Sequence, residues 1–182
     1  MIKNNKELLE KIDNDNSLEF LFFWSHKKTK QVTKTCFSQW YESPFMDNQE
    51  NTYLTAEHYM MAEKALLFDD QFMYEQILLS DNPKDAQKLG RKVNGFKNDV
   101  WIKHRFDIVV EANYLKFSQN EELKSFLLNT EDQILVEASP NDKIWGIGLS
   151  ETNIDAMNIK KWQGLNLLGF SLMEVRKRLQ HI

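Results

Sequence analysis

Glu57 and Lys64 are the residues in this chain whose types and spacing first suggest chemistry. They lie in "LTAEHYMMAEKALLF", residues 54–68, which is rich in Ala, Leu, Met, Glu and Lys and has no Gly or Pro. Such a composition predicts a helix. On a helical projection, Leu54, Met60, Met61, Ala65, Leu67 and Phe68 share one arc, and Glu57 and Lys64 project from its middle. The two are two turns apart, about 10 Å of rise. That is too far for an i,i+4 pair, but two long side chains can converge on a group held between them. An ionised side chain in an apolar face is costly unless paired. Either the two serve a common site, or each finds its own partner, with the lysine stem covering apolar surface and its head in water. His58, beside the arc, reads as a packed or hydrogen-bonded histidine.

Other motifs offer binding groups. In "LGRKVNGF", Arg91 follows a glycine near a predicted helix end. A guanidinium there can clamp a phosphate or simply face solvent beside the helix terminus. The spacing does not match a nucleotide P-loop. In "NDKIWGIG", Trp145 precedes a Gly-Ile-Gly turn and Asp142 lies three residues earlier. The tryptophan can stack on a flat ring or plug the core beneath the turn, and the glycines allow close backbone approach. Trp101 shares a helix face with Ile108, Ala112 and Leu115, a core pattern. Lys27, Lys28, Lys30 and Lys34 can meet nucleic-acid phosphates or form a solvated turn. The scattered histidines give no metal-ligand cluster. There is no GxSxG elbow, and the single Cys36 lies in an apolar stretch.

These residues need elements to hold them. "LEFLFFW", 18–24, reads as a strand, and "VTKTCF", 32–37, as a second strand that can pair with it in a hairpin. "SPFMDNQEN" reads as loop. Thr55 is a candidate N-cap for the 54–68 helix. Asn82 caps, and Pro83 opens, a helix ending near Gly90. A long helix is predicted over 98–117 with Asn98 as cap, another through "EELKSFLLN", a strand at 133–138, and a closing helix through "GLNLLGFSLMEVRKRLQ". The expected fold is a mainly helical α+β single domain with a small sheet or hairpin. Residues 1–16 form a polar lead-in with a short helix at 5–12, and the domain spans 17–182.

The 182 residues suit one domain with a substantial core. A net charge of −4 argues against a general nucleic-acid binder, though not against a local basic patch. No apolar run reaches the length of a membrane helix, and the polar N-terminus lacks a signal-peptide core. A lone cysteine fits a reducing cytoplasm. The expectation is a cytoplasmic protein with no membrane and no metal.

Taken in order, "FSQWYESPF", "LTAEHYMMAEKALLF", "LGRKVNGF", "VW", "LVEASPNDKIWGIG" and "WQGLNLLGFSLMEVRKRL" resemble the NADAR family, the YbiA-like N-glycosidases. The resemblance runs from about Phe23 to the C-terminus. It implies a mainly helical fold and cleavage of an N-glycosidic bond to ribose, without a cofactor. Implied substrates are phosphorylated ribosyl or ADP-ribosyl compounds: phosphoribosylamino-pyrimidine intermediates of riboflavin synthesis, or ADP-ribosylated guanine in DNA or RNA. By the same resemblance Glu57, Lys64 and Asp142 are catalytic, and Arg91, Trp101, Trp145, Ser38, Gln39 and Gly146 bind substrate. Lys64 is implied as a covalent catalyst or a substrate clamp. Two positions depart from the family pattern: Gln39 replaces the usual asparagine, and Ile147 stands where the riboflavin-pathway enzyme carries an acid. A non-catalytic ADP-ribose or NAD sensor, or an interaction module, is the competing reading.

Overall fold

The computed structural model describes residues 2–14 and 18–181. It is mainly helical with small sheets, the expected α+β class. The expected boundary between residues 16 and 17 lies outside the described residues. Two compact units divide the chain: Met1–Ser38 with Glu122–Ile182, and Gln39–Glu121.

The first unit holds helix α1 (Asn5–Asn14) and strand β1 (Phe20–Phe23). Strand β1 does not pair with residues 32–37. Its partner is β4 (Ile134–Glu137), in parallel, with Phe20 opposite Ile134 and Phe23 opposite Glu137. The expected hairpin is therefore wrong. Residues Lys34–Phe37 instead close a 3-10 turn, with the Cys36 N–H donating to the Thr33 carbonyl. Phe37 then meets the Phe23 ring edge-on, 5.4 Å between centroids. The consecutive burial of Phe22 and Phe23 fits a strand covered on both faces.

Helix α7 (Leu167–Leu179) packs directly on β4: a Cβ at Gly169 would collide with the Leu135 carbonyl. Asn166, at the start of α7, acts as an extra strand partner. Its Nδ2 donates to Leu135 O, and its Oδ1 accepts from Glu137 N.

The second unit is built around α2 (Ala56–Leu67), which packs against α3 (Gln71–Leu78), α4 (Pro83–Gly90) and α5 (Asn98–Ser118). α6 (Glu121–Leu128) follows α5 in the chain. Thr55 caps α2, accepting from His58 N, and Asn82 with Pro83 opens α4 as its sequence implies. Lys97, not Asn98, stands at the N-cap position of α5, and it makes no side-chain cap bond. The expected loop at 43–51 contains β2 (Phe45–Met46), which pairs antiparallel with β3 (Thr52–Tyr53). Asp47 makes the hairpin: it accepts from the backbone N–H of Gln49 and Asn51, and from the Tyr53 hydroxyl. α3 was not legible from periodicity. Asp70 caps it, accepting from Met73 N.

Candidate active site

Glu57 sits in the first turn of α2, where a helix leaves its N–H groups without intrahelical acceptors. Its own N–H is satisfied by the carbonyl of Gln39 at 3.0 Å, which docks the 39–41 segment on the helix start. The Glu57 side chain is 3% exposed, and its Oε1 is shut from solvent.

Two turns on, Lys64 is half-buried. Its Nζ donates to the Gly90 carbonyl at 2.8 Å, near the end of α4. The ammonium lies 4.3 Å from the centroid of the Phe96 ring and 5.7 Å from that of Trp101. Burial holds the Lys64 pKa below the ordinary lysine value; the Arg91 guanidinium adds to the lowering and the Glu57 carboxylate opposes it. Lys64 thus lies within electrostatic reach of both Glu57 and Arg91. Arg91 caps α4, is exposed, and donates from Nη2 to Gln87 Oε1.

The close approach of α4 to α2 depends on Gly90. A Cβ there would run into the Met61 side chain, so the glycine allows the present close approach that brings the carbonyl to Lys64. Phe96 is placed by a second device. Asp70 Oδ2 accepts from both the N–H and the Nδ2 of Asn94, and Gly95 then turns the chain at φ 66°. Phe96 escaped the sequence reading. Its only signal was an aromatic residue directly after the glycine of "NGF".

Trp101, whose spacing suggested a core residue, is half-buried on α5 with Lys64 over its ring. His58 is a packed histidine, as expected. Its Nδ1 lies 2.8 Å from Thr55 Oγ1 and its Nε2 is 3.1 Å from Ser80 O.

The other expected residues belong to the first unit. Asp142 Oδ1 accepts from the backbone N–H of Ile144 and of Trp145, both at 2.8 Å, so this oxygen shapes the loop. Trp145 is half-buried in that loop. Gly146 is packed against the Glu137 carbonyl, which a Cβ would approach to 2.8 Å. Ile147, the departure from the family pattern, is fully buried. Ser38 ends the 3-10 turn, its N–H donating to Thr35 O. In the lysine run, Lys34 is engaged by Glu151 at 2.9 Å, while Lys27 and Lys30 are exposed. A cleft of about 450 Å³ in the first unit, lined by Lys11, Asp132, Glu174, Arg176, Lys177 and His181, includes none of the candidate residues. Among the described residues no cluster of His, Cys, Asp and Glu could hold a metal ion, and no helix is long and apolar enough to cross a membrane.

The model of the NADAR domain family matches residues 22–180. The chain belongs to the NADAR domain family. It is 46% identical over 168 residues to an N-glycosidase of Acanthamoeba polyphaga mimivirus, covering 89% of this chain and 97% of that protein. The riboflavin biosynthesis protein PYRR of Zea mays is 33% identical over 135 residues, 70% of this chain and 20% of its own length. The solved structure of the E. coli protein YbiA superposes with a TM-score of 0.72 at 28% identity, covering 90% of this chain and 86% of that one. The expected family and fold class agree with these findings, as does the expectation of an N-glycosidase with the names of several relatives.

Proposed function

We propose that this NADAR protein hydrolyses an N-glycosidic bond between C1 of a ribose and a base nitrogen, with Glu57 and Lys64 as its catalytic pair. The observation that carries the reading is the setting of Lys64. Lys64 shares a helix with the buried Glu57, and its amine is held by a carbonyl and two aromatic rings of other segments, with its pKa lowered.

Breaking the bond builds positive charge on C1 and the ring oxygen. A fixed carboxylate stabilises that charge more effectively in a buried setting than in water. Glu57 supplies it, and also orients and deprotonates the attacking water. Lys64 adds a covalent route. A ring-opened glycosylamine is an imine at C1. The neutral Lys64 amine adds to C1, the base amine leaves with a proton, and water then hydrolyses the lysine imine to free the sugar. Arg91 holds phosphate, Trp101 stacks on base or sugar, and Gln39 contacts the substrate.

Two substrate classes follow. The Zea mays relative's name supports a phosphoribosylamino-pyrimidine of riboflavin synthesis. The exposed Lys27 and Lys30 support ADP-ribosylated guanine in nucleic acid. Incubation with each substrate separates them, by release of ribose 5-phosphate or of ADP-ribose. Glu57→Gln is expected to fold and to lose at least about a hundredfold in turnover. A variant within a fewfold of wild type removes Glu57 from the mechanism. Wild-type protein that binds ADP-ribose without cleaving either substrate is a sensor.

A further inference from the structure

Asn113 has no place in the reading above, yet its surroundings determine what Gln39 can offer a ligand. Asn113 lies on α5 and is fully buried. Its Nδ2 donates to the backbone carbonyl of Val109 and to Oε1 of Gln39, both at 2.8 Å. A backbone carbonyl only accepts, so the Asn113 group facing Val109 must be the NH2. That NH2 has a second proton, and the Gln39 atom receiving it must be the amide oxygen. Turning Gln39 over would set two donors against each other. The orientation of both amides is thereby fixed by one main-chain carbonyl, which removes the usual ambiguity of amide ends.

The consequence is a donor with a defined direction. Gln39 is 5% exposed, and among the described residues its Nε2 has no hydrogen-bond partner. Asn113 Oδ1 is likewise buried without one. Buried polar groups in folded proteins are nearly always satisfied. The Gln39 backbone carbonyl accepts from Glu57 N–H, so the residue that carries this donor is anchored at the first turn of the helix that carries Glu57 and Lys64. A neutral amide suits an uncharged acceptor, whereas a phosphate calls for a cation such as Arg91.

We propose that Gln39 recognises an uncharged oxygen of the ribosyl substrate, a hydroxyl or a carbonyl, through Nε2, and that Asn113 is the positioning residue that holds this amide with its donor end free for the ligand. The inference rests on the N-glycosidase reading for its substrate but is tested separately from it. The test combines steady-state kinetics with calorimetric titration of ribose 5-phosphate and ADP-ribose, using Gln39→Leu, Asn113→Leu, Asn113→Asp and the double Leu variant. Loss of one neutral hydrogen bond to the ligand raises KM and Kd about tenfold and leaves kcat within about twofold. Asn113→Asp gives the same loss, because an acceptor-only side chain recruits Nε2 to itself. The double variant is no weaker in binding than Gln39→Leu alone, since Asn113 acts only through Gln39.

Unchanged KM and Kd in Gln39→Leu overturn the proposal, as do additive losses in the double variant. An Asn113→Leu protein with a lowered Tm but normal KM and Kd also overturns it, because that is a packing role. Should Asn113→Leu fail to fold, Gln39→Leu and Asn113→Asp decide. Wild-type protein that binds a probe but cleaves neither substrate defeats the glycosidase reading alone, and the donor is then judged on Kd. Wild-type protein that binds neither probe defeats both.

Discussion

The ammonium of Lys64 is pulled in two directions. The faces of Phe96 and Trp101 attract a cation, and the Gly90 carbonyl accepts from it. Burial and the nearby Arg91 charge disfavour it, and these win, since the net shift is downward. That balance suits a nucleophile, which must be neutral to add to C1, and it makes the two possible roles of Lys64 respond oppositely to pH. By the imine route, kcat rises as pH rises through the lowered Lys64 value. As a charged clamp, Lys64 instead loses substrate affinity over the same interval. Borohydride added during turnover is expected to reduce the imine and leave the sugar on Lys64, detectable by peptide mass. An active Lys64→Arg protein with no adduct leaves only direct displacement by water.

At the scale of elements, the α2–α4 crossing sets the Lys64 environment, and Gly90 sets the crossing. Replacing Gly90 with alanine drives a Cβ into Met61, whose own Cβ leaves little room to withdraw. Overpacking of this kind costs about 1–3 kcal/mol, and the helix propensity gained by alanine offsets about 1 kcal/mol of it. Gly90→Ala is therefore expected to lose up to about 2 kcal/mol in urea unfolding. It also draws the carbonyl away from Lys64, so kcat falls more than the small loss of folded fraction explains. Unchanged kcat would separate the crossing from catalysis. The same region shows what could be read from sequence. Thr55, Asn82 and Pro83 announce helix starts through local chemistry, and Glu57, Lys64 and Arg91 stand out as charges placed by helical spacing. The β1–β4 pair was illegible because its partners lie more than a hundred residues apart. The β2–β3 hairpin was hidden because the side chain of Asp47 makes its turn. Phe96 and Asn113 were missed for a related reason. Their roles depend on the Asp70–Asn94 bonds and on the Val109 carbonyl, contacts that have no pattern along the chain.

For the molecule as a whole, buried titratable groups bound the pH range of greatest stability. On the acid side stands His58, whose pKa burial holds below its ordinary value of 6.5, against the weaker opposing pull of the Ser80 carbonyl. The folded chain prefers the neutral ring. Its stabilising contribution is full above 6.5 and is lost as pH falls through the lowered folded value. On the alkaline side stand Tyr53 and Tyr59, whose hydroxyls burial pushes above their ordinary value of 10.0. There the folded chain holds its protons harder, so stability is full below 10.0 and is lost as pH rises beyond it. Glu63 acts in the opposite sense to His58. Burial raises its carboxyl above 4.5, so its protonation recovers stability as pH falls toward that value. A flat maximum in Tm between about pH 6.5 and 10 is expected, with a decline on each side. His58→Gln isolates the acid limb, because a glutamine amide cannot titrate. Its Tm is lower than wild type at pH 8, at about 2–4 °C per kcal/mol of lost hydrogen bonding and packing, but falls less between pH 7 and 5.5. Parallel declines in the two proteins over that interval would show that His58 does not set the acid limb.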